Sequence, residues 1–144
     1  MTHYALLKER ELVIVTGGDS RPFLQGMISN NMDDLNPDQS MYAAMLTPQG
    51  KYLHDFIMID KNPAIWMDTE QTRCDELTKR LNLFRLNSDV SIARQGKALT
   101  VAALWGTEAL SCLGLKQKVG ATVPFGSGLA LADPRLSSLG SRLI

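Results

Sequence analysis

The stretch Met41 to Asp60, MYAAMLTPQGKYLHDFIMID, constrains the fold more than any other part of the chain. Tyr42, Ala44 and Leu46 alternate with their neighbours before a turn. Leu53, Phe56, Ile57, Met58 and Ile59 form an apolar run after it, so two antiparallel strands are predicted. Thr47-Pro48-Gln49-Gly50 supplies the turn: proline presets φ at the second position, and glycine closes the turn without steric cost. The anomaly lies inside the second strand. His54 and Asp55 directly precede the most hydrophobic segment of the protein, and one of the two must point toward the covered face.

A carboxylate on a covered face is costly unless it finds a partner. Asp55 is therefore either a surface residue held by neighbouring backbone amides or a site carboxylate that meets a ligand bearing basic nitrogen. Spacing alone leaves both open.

With 144 residues, 44% of them hydrophobic and 21% charged, the chain can bury one sizeable core, and disorder is excluded. Fifteen basic residues balance fifteen acidic ones, which argues against a nucleic-acid binder with its basic excess. Arg80, Arg85 and Arg94 read as scattered solvated positions. No apolar run approaches the length of a membrane span, and the first residues lack the pattern of a signal or transit peptide, so a cytoplasmic location is expected. Cys74 and Cys112 stand far apart without grouped histidines. They read as small buried hydrophobes, and no metal site is predicted.

Along the chain, His3 belongs to a loose terminus. Glu11 to Thr16 is a buried strand ended by Gly17-Gly18, and Asp19 is placed to cap a helix whose apolar face carries Phe23, Leu24, Met27 and Ile28. After the hairpin, Ala64 to Met67 returns as a short strand. Cys74, Leu77, Leu81 and Phe84 then share one side of a helix, and Asp89 to Ala93 is another strand. This order predicts an α+β fold: a ferredoxin-like split β-α-β unit with a mixed or antiparallel sheet and both helices on one face. A smaller β-rich extension follows, with a strand at 99–104, a short helix from Thr107 to Leu113, a turn-rich stretch from Gly120 to Gly128 and a strand at 129–132. The division expected is 1–95 for the first subdomain and 96–144 for the extension, which looks like the start of a truncated second subdomain. The strand-like end, Ser141 to Ile144, suggests a piece of a longer protein or a tail that pairs with another chain.

Several words in a fixed order carry a resemblance: Gly18-Asp19-Ser20, Phe23-Leu24-Gln25-Gly26, Leu46-Thr47-Pro48-Gln49-Gly50-Lys51 and Asp133-Pro134-Arg135. From about Leu6 onward the chain resembles the amino-terminal half of the YgfZ-type folate-binding proteins, relatives of the glycine-cleavage T-protein (aminomethyltransferase). Thr-Pro-Gln-Gly-Lys is closer to the YgfZ branch, which assists maturation of certain iron–sulfur enzymes. The resemblance implies tetrahydrofolate as the cofactor. It makes Asp55 the carboxylate that faces the reactive N10 region, with Tyr42 lining the pterin or aminobenzoyl cavity. Met67 would be a softer wall contact of that cavity, with core packing as its alternative. Lys51 would either attract a glutamyl tail or be solvated. The Lys-Gly-Cys motif of YgfZ proteins and the later folate-holding residues of the T-protein are absent, so a missing carboxy-terminal half or a second polypeptide is expected to complete the site.

The leading expectation is thus a folate-binding module that acts as an accessory factor for iron–sulfur client proteins. The alternatives are a tetrahydrofolate-dependent aminomethyl or one-carbon transferase, and a non-catalytic interaction domain.

Overall fold

The computed structural model describes residues 1–144. Five antiparallel strands make the first sheet: β2 (Arg10–Thr16), β3 (Met41–Leu46), β4 (Tyr52–Lys61), β5 (Ala64–Glu70) and β6 (Ser91–Arg94), in the order β3-β4-β5-β2-β6. The predicted hairpin is its outer half. Gly50, at φ +81°, donates to the Thr47 carbonyl (2.9 Å), while the Lys51 amide donates to Thr47 Oγ1 (3.0 Å).

Helices α1 (Ser20–Gln25) and α2 (Cys74–Phe84) cover one face of this sheet. Because β5 and β6 both run antiparallel to β2, which lies between them, β5-α2-β6 is a split β-α-β unit. The strands that flank α1 are antiparallel instead, because three strands rather than two form the meander β3-β4-β5. That half departs from the ferredoxin pattern. The apolar stripe of α2 buries Cys74, Leu77 and Leu81 completely, whereas Phe84, in the last turn, stays half exposed. Asp19 precedes α1 but does not cap it; its carboxylate accepts the Asp89 amide (2.8 Å) and ties α1 to the loop before β6.

A second sheet lies on the other face, with the order β1-β7-β10-β9-β8 for β1 (Thr2–Leu6), β7 (Ala102–Gly106), β8 (Thr122–Phe125), β9 (Gly128–Ala132) and β10 (Ser141–Leu143). The expectation of a loose terminus is corrected here. Residues 2–6 are not a loose terminus, because their backbone pairs with the edge that β7 would otherwise expose. This first strand, within the segment expected at 1–95, lies in the same sheet as four strands from beyond residue 96. The tail, expected either to belong to a piece of a longer protein or to pair with another chain, pairs with β7 and β9 of its own.

The layers are therefore helices, sheet, sheet. One core, which includes Val13, Phe56, Met58, Met67, Leu77 and Leu81, fills the space under the helices. A second, with Leu12, Ile57, Ile59, Trp66, Leu129 and Leu131, fills the space between the sheets. Cys74 belongs to the first core, but Cys112 is exposed, because Ser111–Leu113 is a surface 3-10 turn rather than a packed helix.

Candidate functional site

Alternation sends His54 and Asp55 to opposite faces of β4. His54 turns under α2 and is 1% exposed, while Asp55 turns toward the second sheet and stays half-buried. His54 Nε2 lies 3.6 Å from Glu76 Oε1, too far for a hydrogen bond, and neither ring nitrogen has a partner. Burial lowers its pKa, and the charges of Arg73 and Arg80 add to that against the weaker pull of Glu76, so the ring is neutral.

Asp55 stands opposite Ala44 on β3, whose small side chain leaves the carboxylate uncrowded. Two phenols reach it. Tyr42 donates to Oδ2 (2.5 Å) and Tyr52 to Oδ1 (3.0 Å). Partial burial pushes the Asp55 carboxyl up, but the two phenols and the charge of Arg10 outweigh it and hold the group below its ordinary range. The reciprocal effect raises Tyr42 to about 12, first through the hydrogen bond to Asp55 and then through burial. Both phenols therefore keep their protons at neutral pH. The result is a fixed carboxylate that accepts two O–H bonds and retains lone-pair capacity for a further donor.

Beside this group the two sheets are joined by ion pairs. Asp68 on β5, fully buried, accepts from Arg10 Nε (2.8 Å) and Arg142 Nη1 (2.7 Å). Arg142 Nε reaches Asp133 (3.3 Å), which also accepts from Arg135 Nε (2.8 Å), Arg135 Nη2 (2.6 Å) and the Arg135 amide (3.0 Å). The Asp133-Pro134-Arg135 word is thus a clamp closed on itself, and the Arg135 charge acts weakly on Tyr42. Burial pushes Asp133 up, but the Arg135 donors and the charges of Arg135 and Arg142 hold it down.

Of the residues singled out in the sequence, Tyr42 and Asp55 are in contact. Met67 is not with them. It stands opposite Met58 and Val13, fully buried in the core under the helices, on the far side of the sheet. Its neighbour Asp68 occupies the face that Asp55 uses, because the register sets Asp68 across from Ile57. Lys51 is exposed in the hairpin turn. Tyr52 was missed, since simple alternation assigns it to the other face. Asp55 also lies outside the larger cavities: one of about 740 Å³ is lined by Arg21, Gln25 and Asn30, another of about 560 Å³ by Lys8, Arg10 and Lys97. The carboxylate sits on an open sheet face and not in an enclosed pocket. No group of three or more His, Cys, Asp and Glu side chains is gathered to hold a metal ion. No helix is long and apolar enough to cross a membrane.

Comparison with solved structures gives the class. The crystal structure of the glycine cleavage system aminomethyltransferase T from Bartonella henselae superposes with a TM-score of 0.78 over 99% of this chain and 41% of that one, at 15% sequence identity. The fold is shared with part of that aminomethyltransferase. No protein-family model matches the chain. Among curated proteins, the mitochondrial iron–sulfur cluster assembly factor IBA57 homolog of Chaetomium globosum is 31% identical over 97% of this chain and 36% of its own length. An aminomethyltransferase of Bacillus velezensis is 28% identical over 70% of this chain and 28% of its own length. The resemblance read from the sequence thus extends to these relatives, and the chain spans about a third of the length of the curated proteins it matches.

Proposed function

We propose that the protein is a folate-binding module of the YgfZ type that serves as an accessory factor for iron–sulfur proteins. The observation that carries this reading is the Asp55 carboxylate, presented on an open sheet face by Tyr42 and Tyr52 in a fold shared with an aminomethyltransferase. The donor set suits a reduced pteridine. A carboxylate with free lone pairs accepts ring or exocyclic N–H groups, and two half-exposed phenols offer apolar surface to a flat ring. Tetrahydrofolate supplies a nitrogen pair that carries one-carbon groups. The protein's part is to orient that nitrogen region against Asp55, with Lys51 available to the anionic glutamyl tail. The open face offers one wall, so a second polypeptide segment is needed for tight binding. Relatives named as iron–sulfur cluster assembly factors support the accessory role and, with it, iron–sulfur proteins as partners. The cytoplasmic location expected from the first residues stands beside relatives named mitochondrial, and fractionation of the source cells decides the compartment.

Equilibrium dialysis against tetrahydrofolate tests the reading. Saturable binding is expected, weakened roughly tenfold or more by Asp55→Asn, the worth of one hydrogen bond to a charged group. Equal binding by the Asn variant, or none by the wild type, removes the assignment. The accessory role predicts that cells lacking the gene lose activity of an iron–sulfur enzyme and regain it on complementation.

A further inference from the structure

We infer that Tyr52 is a positioning residue, carried onto the face of Asp55 by a β-bulge, which fixes that carboxylate for a ligand bearing N–H groups or a cationic nitrogen. The inference rests on the folate-binding reading, and it names the chemical class that the site selects.

Strict alternation along β4 puts residues 52, 54, 56 and 58 on one face and 53, 55 and 57 on the other. His54, Phe56 and Met58 obey, since all three are buried under the helices. Tyr52 does not. Between Met45 and Leu46 the register shifts: Met45 stands opposite His54, but Leu46 stands opposite Tyr52, so Leu53 is an extra residue on β4. Leu53 and His54 consequently both turn toward the helix side, where Leu53 packs on the core. Beyond the bulge the phase is reversed, and Tyr52 emerges beside Asp55. The extra residue is anchored, because the Arg73 guanidinium donates to the Leu53 carbonyl.

Core packing does not explain this arrangement. Tyr52 is 58% exposed, so its ring gains little burial there. What it gains is the bond from its phenol to Asp55 Oδ1 (3.0 Å), on the oxygen that Tyr42 leaves free. With one donor on each oxygen, the carboxylate can neither rotate freely nor accept a proton easily. Each oxygen keeps lone-pair capacity for a further donor. A ligand that offers N–H donors or a positive nitrogen extends the array, whereas one that offers only acceptors meets an unpaired negative charge. Reduced folates carrying an iminium or a protonated amine have the favoured chemistry.

The test uses the full chain with Tyr52→Phe, an exposed substitution that removes only the hydroxyl. Carboxyl-carbon NMR of the free protein follows the Asp55 titration, and dialysis follows tetrahydrofolate. The titration midpoint of Asp55 is expected to rise in the Phe variant. Affinity is expected to fall roughly threefold to tenfold, with no further fall when Tyr52→Phe is added to Asp55→Asn. An unmoved midpoint overturns the inference whether or not folate binds. A moved midpoint with unchanged affinity for a folate that the wild type binds overturns it as well. If the wild type binds no folate, the proposed function fails while the titration still decides whether Tyr52 holds the carboxylate.

Discussion

Replacing Asp68 by Asn should be among the most damaging single changes available in this protein. Asp68 is fully buried where β5 faces the second sheet, and it takes one charge-assisted bond from Arg10 (2.8 Å) and one from Arg142 (2.7 Å). Each such bond contributes about 1.5–3 kcal/mol. The losses differ in how far water makes them good. Arg10 keeps a 17% exposed side chain and can turn outward, but Arg142, at 7%, cannot. Arg142 is left with Asp133 as its one carboxylate partner, at 3.3 Å, and Arg135 already binds that group. The expected cost is about 3–5 kcal/mol, as for other buried pairs that lose one partner. For 144 residues that lowers the melting temperature by about 10 °C. Urea unfolding followed by tryptophan fluorescence measures it. The decisive comparison is Asp68→Leu against the pair Asp68→Leu with Arg142→Leu. If the penalty comes from a stranded guanidinium, removing Arg142 as well must restore part of the loss. The reasoning is refuted if Asp68→Asn stays within about 1 kcal/mol of wild type, or if the double variant is less stable than Asp68→Leu.

Two further outcomes are expected. His54 is held neutral by burial, with its pKa lowered, so the folded chain binds fewer protons than the unfolded one. Its stability contribution is complete above the ordinary histidine value of about 6.5 and is lost as pH falls below it; urea midpoints between pH 8 and 5 should fall in wild type and stay flatter in His54→Leu. Gly17 sits at φ +115° with the Asp89 carbonyl where a Cβ would lie, whereas Gly50, at φ +81°, faces open space. Gly50→Ala should cost about 1–2 kcal/mol and Gly17→Ala clearly more, read from thermal midpoints of the two variants.

The hairpin at 41–60, the strand at 10–16 and the stripe of α2 were legible because each buries a regular apolar pattern and carries its own turn or helix period. The edges of the second sheet were not. β1 (THYAL) and β8 (TVPF) form them, and edge strands tolerate polar residues and even the Pro124 that argues against a strand elsewhere. The site was legible in part. Tyr42 and Asp55, singled out through the resemblance, meet on one face, whereas Met67 lies in the core, the alternative that stood beside its role as a wall contact. Tyr52 was hidden by the bulge, a two-against-one event with no mark in the local composition. The ion pairs at Asp68 join residues far apart in sequence, and no local pattern announces them.

Leu104 on β7 has Tyr4 as its partner on one side and Ser141 on the other. During synthesis on the ribosome, therefore, β1 emerges early and must wait for a mate that is made much later. The first sheet has all its strands by residue 94 and can form ahead of the rest. In that interval Leu12, Ile57, Ile59 and Trp66 are a greasy platform in search of a cover. Nascent chains of this protein should thus be clients of a holding chaperone until the last strands emerge.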